Sequence, residues 1–138
     1  MGVDLSPRMI EIAKKKASKN GRQAKYEVAS SLALPFDDET FDLVATSLIH
    51  HHLMSLAEKA ATLSEIYRVL KPEGRYIAAE FTKFTLGNLL VVHDSLIRGI
   101  GLFSPRLPEE NGFHILKRTE ISKGVTIISA EKEVIHAD

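Results

Sequence analysis

Three consecutive histidines, His50-His51-His52, come closely after a small polar pair, Thr46-Ser47. An imidazole titrates near neutrality, so a histidine here suits the role of a general base. A metal site is not expected. Adjacent side chains in extended or irregular backbone point different ways, so three neighbours do not converge on one ion, and a chain without cysteine has no thiolate to complete a site. Thr46-Ser47 close the apolar run Leu43-Val44-Ala45, which comes after Phe41-Asp42 and reads as a strand covered on both faces of a sheet. Small polar residues at the carboxyl end of such a strand are where an open α/β sheet binds its ligand. Lys14, Lys15, Lys16 and Lys19 form a second cluster. They read as cations late in a helix, complementing its dipole and facing water, rather than as a phosphate site.

The elements that position these residues are set by local signals. Met1-Gly2-Val3 is a short apolar stub ending at Asp4. Ser6 is a good N-cap and Pro7 a good first helical residue, Met9, Ile10, Ala13 and Ala17 keep helical spacing, and Asn20-Gly21 stops the helix. Residues 24–29 read as a strand with Tyr26 and Val28 on one face. Residues 30–38 form a loop whose Leu32, Leu34 and Phe36 call for partial burial against a core or a flat ligand. After the histidines, Ser55-Leu56-Ala57-Glu58 is a capping box. It opens a helix with an apolar stripe at Leu56, Ala60, Leu63, Tyr67 and Leu70. Lys71-Pro72-Glu73-Gly74 ends that helix and turns the chain into a strand over 76–81, a parallel strand-helix-strand unit. A further amphipathic helix is predicted over 86–100, with loop around Ser104-Pro105 and Leu107-Pro108. Residues 113–120 and 125–130, joined by Ser122-Lys123-Gly124, read as an antiparallel hairpin.

Composition narrows the function classes. The 138 residues fit one domain, 1–138, with 44% apolar and 26% charged residues, the balance of a globular protein. Eighteen Lys+Arg against eighteen Asp+Glu give zero formal net charge, so no global field draws the protein to nucleic acid or anionic lipid, and neither is expected as a partner. No apolar run approaches the roughly 20 residues of a membrane span, and a chain free of cysteine fits the cytoplasm.

Four motifs in order carry a resemblance. Gly2-Val3-Asp4-Leu5-Ser6-Pro7, then Leu34-Pro35-Phe36-Asp37 with Phe41-Asp42, then Arg68-Val69-Leu70-Lys71-Pro72-Glu73-Gly74, and the closing hairpin together resemble a class I S-adenosylmethionine-dependent methyltransferase. The resemblance implies an α/β fold: a Rossmann-like sheet, mostly parallel, with a C-terminal antiparallel hairpin and incomplete at the N-terminus. It implies S-adenosylmethionine as cofactor and a small-molecule methyl acceptor, with residues 82–112 as the variable segment on the substrate side. By position, Asp4 matches the acidic residue that accepts hydrogen bonds from both ribose hydroxyls, a task suited to an acceptor-only carboxylate. Leu5 matches the residue packed on the adenine face. Ser30 stands where the family usually has an aspartate for the adenine amino group and so gives up a charge-assisted contact. Ser31 and Leu32 match its adenine-side neighbours, and Ser47 and Leu48 the segment beside the methionine end. His51 and His52 match histidines near the substrate mouth and are the catalytic candidates.

The family begins with a strand and a glycine-rich loop, and the residues here match its pattern from the second strand onward. In the family's strand order of three, two, one, four, five, seven, six, that first strand is central. Unpaired backbone groups along two buried edges would each cost on the order of 1–3 kcal/mol, against a domain stability of about 5–15 kcal/mol. Three outcomes are therefore expected as alternatives. The sequence is an incomplete version of a longer protein, or the two edges close on each other in a rearranged sheet, or another chain, such as a second copy in a homo-oligomer, completes the sheet. The corresponding function classes are methyl transfer to a small molecule, impaired without the glycine loop, and a non-catalytic methyltransferase-like remnant or partner subunit acting through protein contacts.

Overall fold

In the computed structural model, which describes residues 1–83, 102–122 and 124–134, Ser6 and Pro7 start the first helix as the sequence predicts. The Ser6 hydroxyl accepts the Met9 N–H at 3.4 Å, and Asn20 caps the far end of α1 (Pro7–Lys19), with Gly21 next at φ 63°. Only Ile10 and Ala17 of its apolar positions are buried, while Met9 is 49% exposed, so the buried stripe is narrower than its spacing suggests. Before the helix runs β1 (Gly2–Asp4), and after it β2 (Tyr26–Val28), paired in parallel with Gly2 opposite Tyr26 and Asp4 opposite Val28. A Cβ at Gly2 would lie 2.8 Å from the Tyr26 ring, so glycine is what lets that ring lie against β1. The second strand is shorter than the 24–29 expected. These elements form the first of two units, Met1–Phe36.

The second unit, Asp37–Asp138, holds a four-stranded sheet in the order β3-β4-β6-β5. Its strands are β3 (Phe41–Ser47), β4 (Leu70–Phe81), β5 (Phe113–Ser122) and β6 (Val125–Lys132). The pairing β3 to β4 is parallel; β4 to β6 and β6 to β5 are antiparallel. This is the four, five, seven, six run implied by the resemblance, with the C-terminal hairpin in place. Among the described residues β1 pairs with β2, and β3 pairs with β4.

Helix α2 (Leu56–Val69) begins at the predicted capping box: the Ser55 hydroxyl accepts the Glu58 N–H at 3.1 Å. The Glu58 carboxylate reaches back to the N–H of Met54, one residue earlier than the usual box. Its buried residues are Lys59, Thr62, Leu63, Ile66 and Val69, whereas Leu56 is 70% exposed. The stripe is therefore rotated from the predicted one, because two polar residues, Lys59 and Thr62, face inward. Leu63, Ile66, Leu70, Tyr76, Ala78, Phe103, Leu107, Phe113, Ile128 and Ala130 make the core, with Phe41, Val44, Tyr67 and Ile115 packed on it. Each large apolar side chain fully buried there contributes about 1.5–3 kcal/mol relative to exposure.

Two further expectations change. The Lys71–Gly74 turn exists, but as an excursion inside β4: the register steps from Phe41 opposite Leu70 to Leu43 opposite Arg75, with Glu73 at φ 59°. And among the described residues β3 lies at the edge of its sheet, with Leu43 53% exposed and Ala45 exposed, where cover on both faces is expected. An apolar run reports what a strand could bury, not what is packed on it. The helix predicted over 86–100 lies in residues outside those described.

Candidate functional site

The predicted site residues fall in two clusters, one in each unit. In the first, the parallel register that sets Asp4 opposite Val28 sends both chains out at one end of the β1–β2 pair. The Ala29 N–H donates to the Asp4 carbonyl at 3.1 Å, so Leu5 and Ser30 leave from adjacent strand ends. The Asp4 carboxylate is exposed and accepts the Ser6 N–H on Oδ1 at 2.8 Å. Leu5 beside it is 73% exposed and Leu32 is 39% exposed. The Ser30 hydroxyl accepts the Leu32 N–H at 3.1 Å, and Ser30 and Ala33 form an isolated antiparallel bridge that curls the loop back on itself. Ser30 and Ser31 are half-buried. An exposed carboxylate can accept from two hydroxyl donors, and an exposed leucine next to it in the chain can cover a flat apolar group.

In the second unit, Ser47 ends β3 exposed, and Leu48 comes next at φ 54°. The Leu48 N–H donates to the Ala79 carbonyl at 2.8 Å, which extends the parallel ladder by one rung. His50–His52 then form a short 3-10 turn. Only His52 is exposed. His51 is 6% exposed, its ring edge-on to Phe81 at 5.4 Å and 3.9 Å from the His52 ring. Burial holds its imidazole below the ordinary value, the neighbouring His52 charge adds to that, and Glu80 opposes it. His51 is thus kept neutral through a wider pH range, the form a general base needs. Among the described residues no group of three or more His, Cys, Asp or Glu side chains is arranged to hold a metal ion.

Buried along with His50 of this turn are two polar residues, Glu80 and Lys59, that drew no functional reading from the sequence. His50 and Glu80 are fully buried and face each other, Nδ1 to Oε1, at 3.0 Å. Lys59 from α2 is 1% exposed; burial lowers its pKa, and the Glu80 charge works against that. A signal for Glu80 was present: it shares the period-two face of β4 with Tyr76 and Ala78. Its partner, 30 residues away, had no such signal.

A parallel strand pair carrying ligand-type residues at its carboxyl end, and a sheet that runs β3-β4-β6-β5 and finishes in a hairpin, define a Rossmann-like α/β protein of the methyltransferase kind. The chain belongs to the methyltransferase domain family, whose model matches residues 1–78. It is 40% identical over 81 residues to the demethylmenaquinone methyltransferase of Thermus thermophilus, a match covering 59% of this chain and 36% of that protein. The chain therefore spans about a third of the length of the curated relatives it matches. Among solved structures, a protein of Pyrococcus horikoshii OT3 superposes with a TM-score of 0.77 at 20% identity, covering 96% of this chain and 70% of that one. A SAM-dependent methyltransferase from Methanosarcina mazei superposes with a TM-score of 0.75 at 21% identity, covering 95% and 80%. At these identities the likeness is one of fold. No helix among the described residues is long and apolar enough to cross a membrane.

Proposed function

We propose that the chain serves methyl transfer from S-adenosylmethionine to a small-molecule acceptor. The observation that carries this reading is Asp4: an exposed carboxylate at the end of a parallel strand, with one oxygen accepting the Ser6 N–H and exposed Leu5 beside it. In this reading Asp4 takes the ribose hydroxyls, Leu5 and Leu32 cover the adenine, and Ser30 and Ser31 meet its polar edge. Ser47 and Leu48 belong to the methionine end, and His51 and His52 to the acceptor side.

The reaction asks little acid-base chemistry of the protein. A sulfonium is already activated, so the work is alignment of acceptor, methyl and leaving sulfur, with a neutral imidazole available where the acceptor must lose a proton. The quinone-directed names of the curated relatives make a demethylmenaquinone-like acceptor the first to try.

The test is calorimetric titration of S-adenosylhomocysteine into the chain and into Asp4→Ala. Micromolar binding that Asp4→Ala abolishes supports the reading. Well-folded protein that binds nothing, or binds equally without Asp4, overturns it.

A further inference from the structure

Glu80 sits at the last but one position of β4, on the face that carries Tyr76 and Ala78 into the core, and its side chain is 0% exposed. A buried carboxylate is expensive to keep unless it is paired and hydrogen-bonded, so its partners show what it is for. Oε1 accepts the backbone N–H of Ile49 at 3.1 Å and lies 3.0 Å from Nδ1 of His50. Oε1 already accepts from Ile49, and it accepts from His50 as well in the tautomer that carries the proton on Nδ1. Both bonds reach from β4 to the turn after β3, the turn that holds Leu48 and His51.

That turn would not keep its shape unaided. Leu48 stands at φ 54°, in the left-handed region that side chains other than glycine rarely adopt, and such a conformation persists only where the surroundings impose it. Three bonds impose it here: Leu48 N–H to the Ala79 carbonyl, Ile49 N–H to Glu80, and His50 to Glu80. Two of the three end on one side chain. The Phe103 ring also packs on His50, centroids 4.4 Å apart, so the imidazole meets both an aromatic ring and the carboxylate. Among the described residues the Glu80 charge also acts on His51, Lys59 and Tyr76.

We propose that Glu80 is a positioning residue for the site: by accepting from Ile49 and His50 it fixes the 48–52 turn in the shape that cofactor binding requires. The inference rests on the methyltransferase reading of Leu48 and His51. It assigns the work to hydrogen-bond acceptance, which an amide can also perform, and not to the negative charge.

The experiment compares Glu80→Ala with Glu80→Gln in the full chain, using amide hydrogen exchange at residues 48–52 without any ligand and calorimetric binding of S-adenosylhomocysteine. In Glu80→Ala, exchange at Ile49 should accelerate by at least about tenfold while amides of the β4–β6 ladder stay protected, and affinity should fall about tenfold. Glu80→Gln should restore both to within about threefold of the parent. Parent-like exchange at Ile49 in a folded Glu80→Ala protein overturns the proposal. So does a folded Glu80→Gln protein as impaired as Glu80→Ala, which would make the charge the working part. Should Glu80→Ala not fold, His50→Phe, which fills the same space against Phe103 but removes one bond, must loosen the turn in the same assay. Unchanged exchange there overturns the proposal as well. If the parent chain binds no S-adenosylhomocysteine, the methyltransferase reading of this chain falls, and exchange alone decides whether Glu80 positions the turn.

Discussion

The N–H of Ser6 donates to Oδ1 of Asp4 at 2.8 Å, so one side chain both orders the start of α1 and presents its second oxygen outward. Two substitutions separate these roles. Asp4→Asn keeps an oxygen for Ser6 but lacks a second acceptor and the charge, so it should lose S-adenosylhomocysteine affinity by about 10- to 100-fold, the worth of hydrogen bonds to a charged group, at unchanged melting temperature. Asp4→Ala should lose the affinity and also some helix stability. Calorimetry beside thermal melts of the two variants checks the separation.

Thr46 and Tyr76 form a second pairing, Oγ1 to Oη at 2.9 Å, with Tyr76 fully buried. Burial pushes the phenol well above its ordinary value, so it stays neutral. Thr46→Val keeps the shape and orphans the hydroxyl, at a cost of about 1–3 kcal/mol. Adding Tyr76→Phe removes the orphan, and the double variant should recover most of that loss. Denaturant unfolding of the four proteins closes the cycle, and additive losses would show that the bond contributes nothing.

What the sequence revealed and what it hid divide along chain distance. Ser6-Pro7, the Ser55 box and the closing hairpin were readable because each is decided within a few residues. The Asp4 and Ser30 placements came from resemblance, and the parallel pairing that brings them to one end of β1–β2 is not written in either segment. Lys59 fell outside the predicted stripe because inward charges defeat an apolar pattern; the Glu80 charge that favours its ammonium lies on another element. The three histidines read as one motif, yet the 3-10 turn buries His50 and His51 and leaves His52 exposed, a division that no run of identical residues can display.

His51 makes stability depend on pH in a definite direction. Its folded pKa lies below the unfolded reference of 6.5, because burial and the His52, Lys59 and His50 charges disfavour the imidazolium more than Glu80 favours it. Between those two values the unfolded chain binds more protons than the folded one, so stability rises with pH through that window. Stability should therefore fall as the solution is acidified below 6.5, and level off once the folded form also protonates. His51→Phe should flatten this slope. Urea midpoints from about pH 8 to about pH 5 measure it, and a slope unchanged in the variant would assign the effect to another group.

Glu73 and Gly112 invert the usual expectations for glycine. Both have positive φ, 59° and 85°, but Glu73 is exposed on the β4 excursion whereas Gly112 abuts a fixed ring. A left-handed conformation costs a side-chain residue roughly 1–2 kcal/mol, so Glu73→Gly recovers part of that, less the extra freedom glycine gives the unfolded chain. Its melting temperature should rise. Gly112→Ala meets the opposite fate: the new Cβ carries the conformational cost and stands 3.1 Å from the Tyr67 ring. That ring cannot readily move aside. Its hydroxyl donates to the Glu133 carbonyl at 2.7 Å, Phe113 packs edge-on against it at 5.5 Å, and the Lys132 ammonium sits 4.6 Å from its centroid. The loss in Gly112→Ala should thus exceed the conformational cost alone, reaching about 2–3 kcal/mol. Replacing Tyr67 by leucine in the Gly112→Ala background removes the clash and not the strain, so only part of the added loss should return. Melts of Gly112→Ala with and without that second change separate the two contributions.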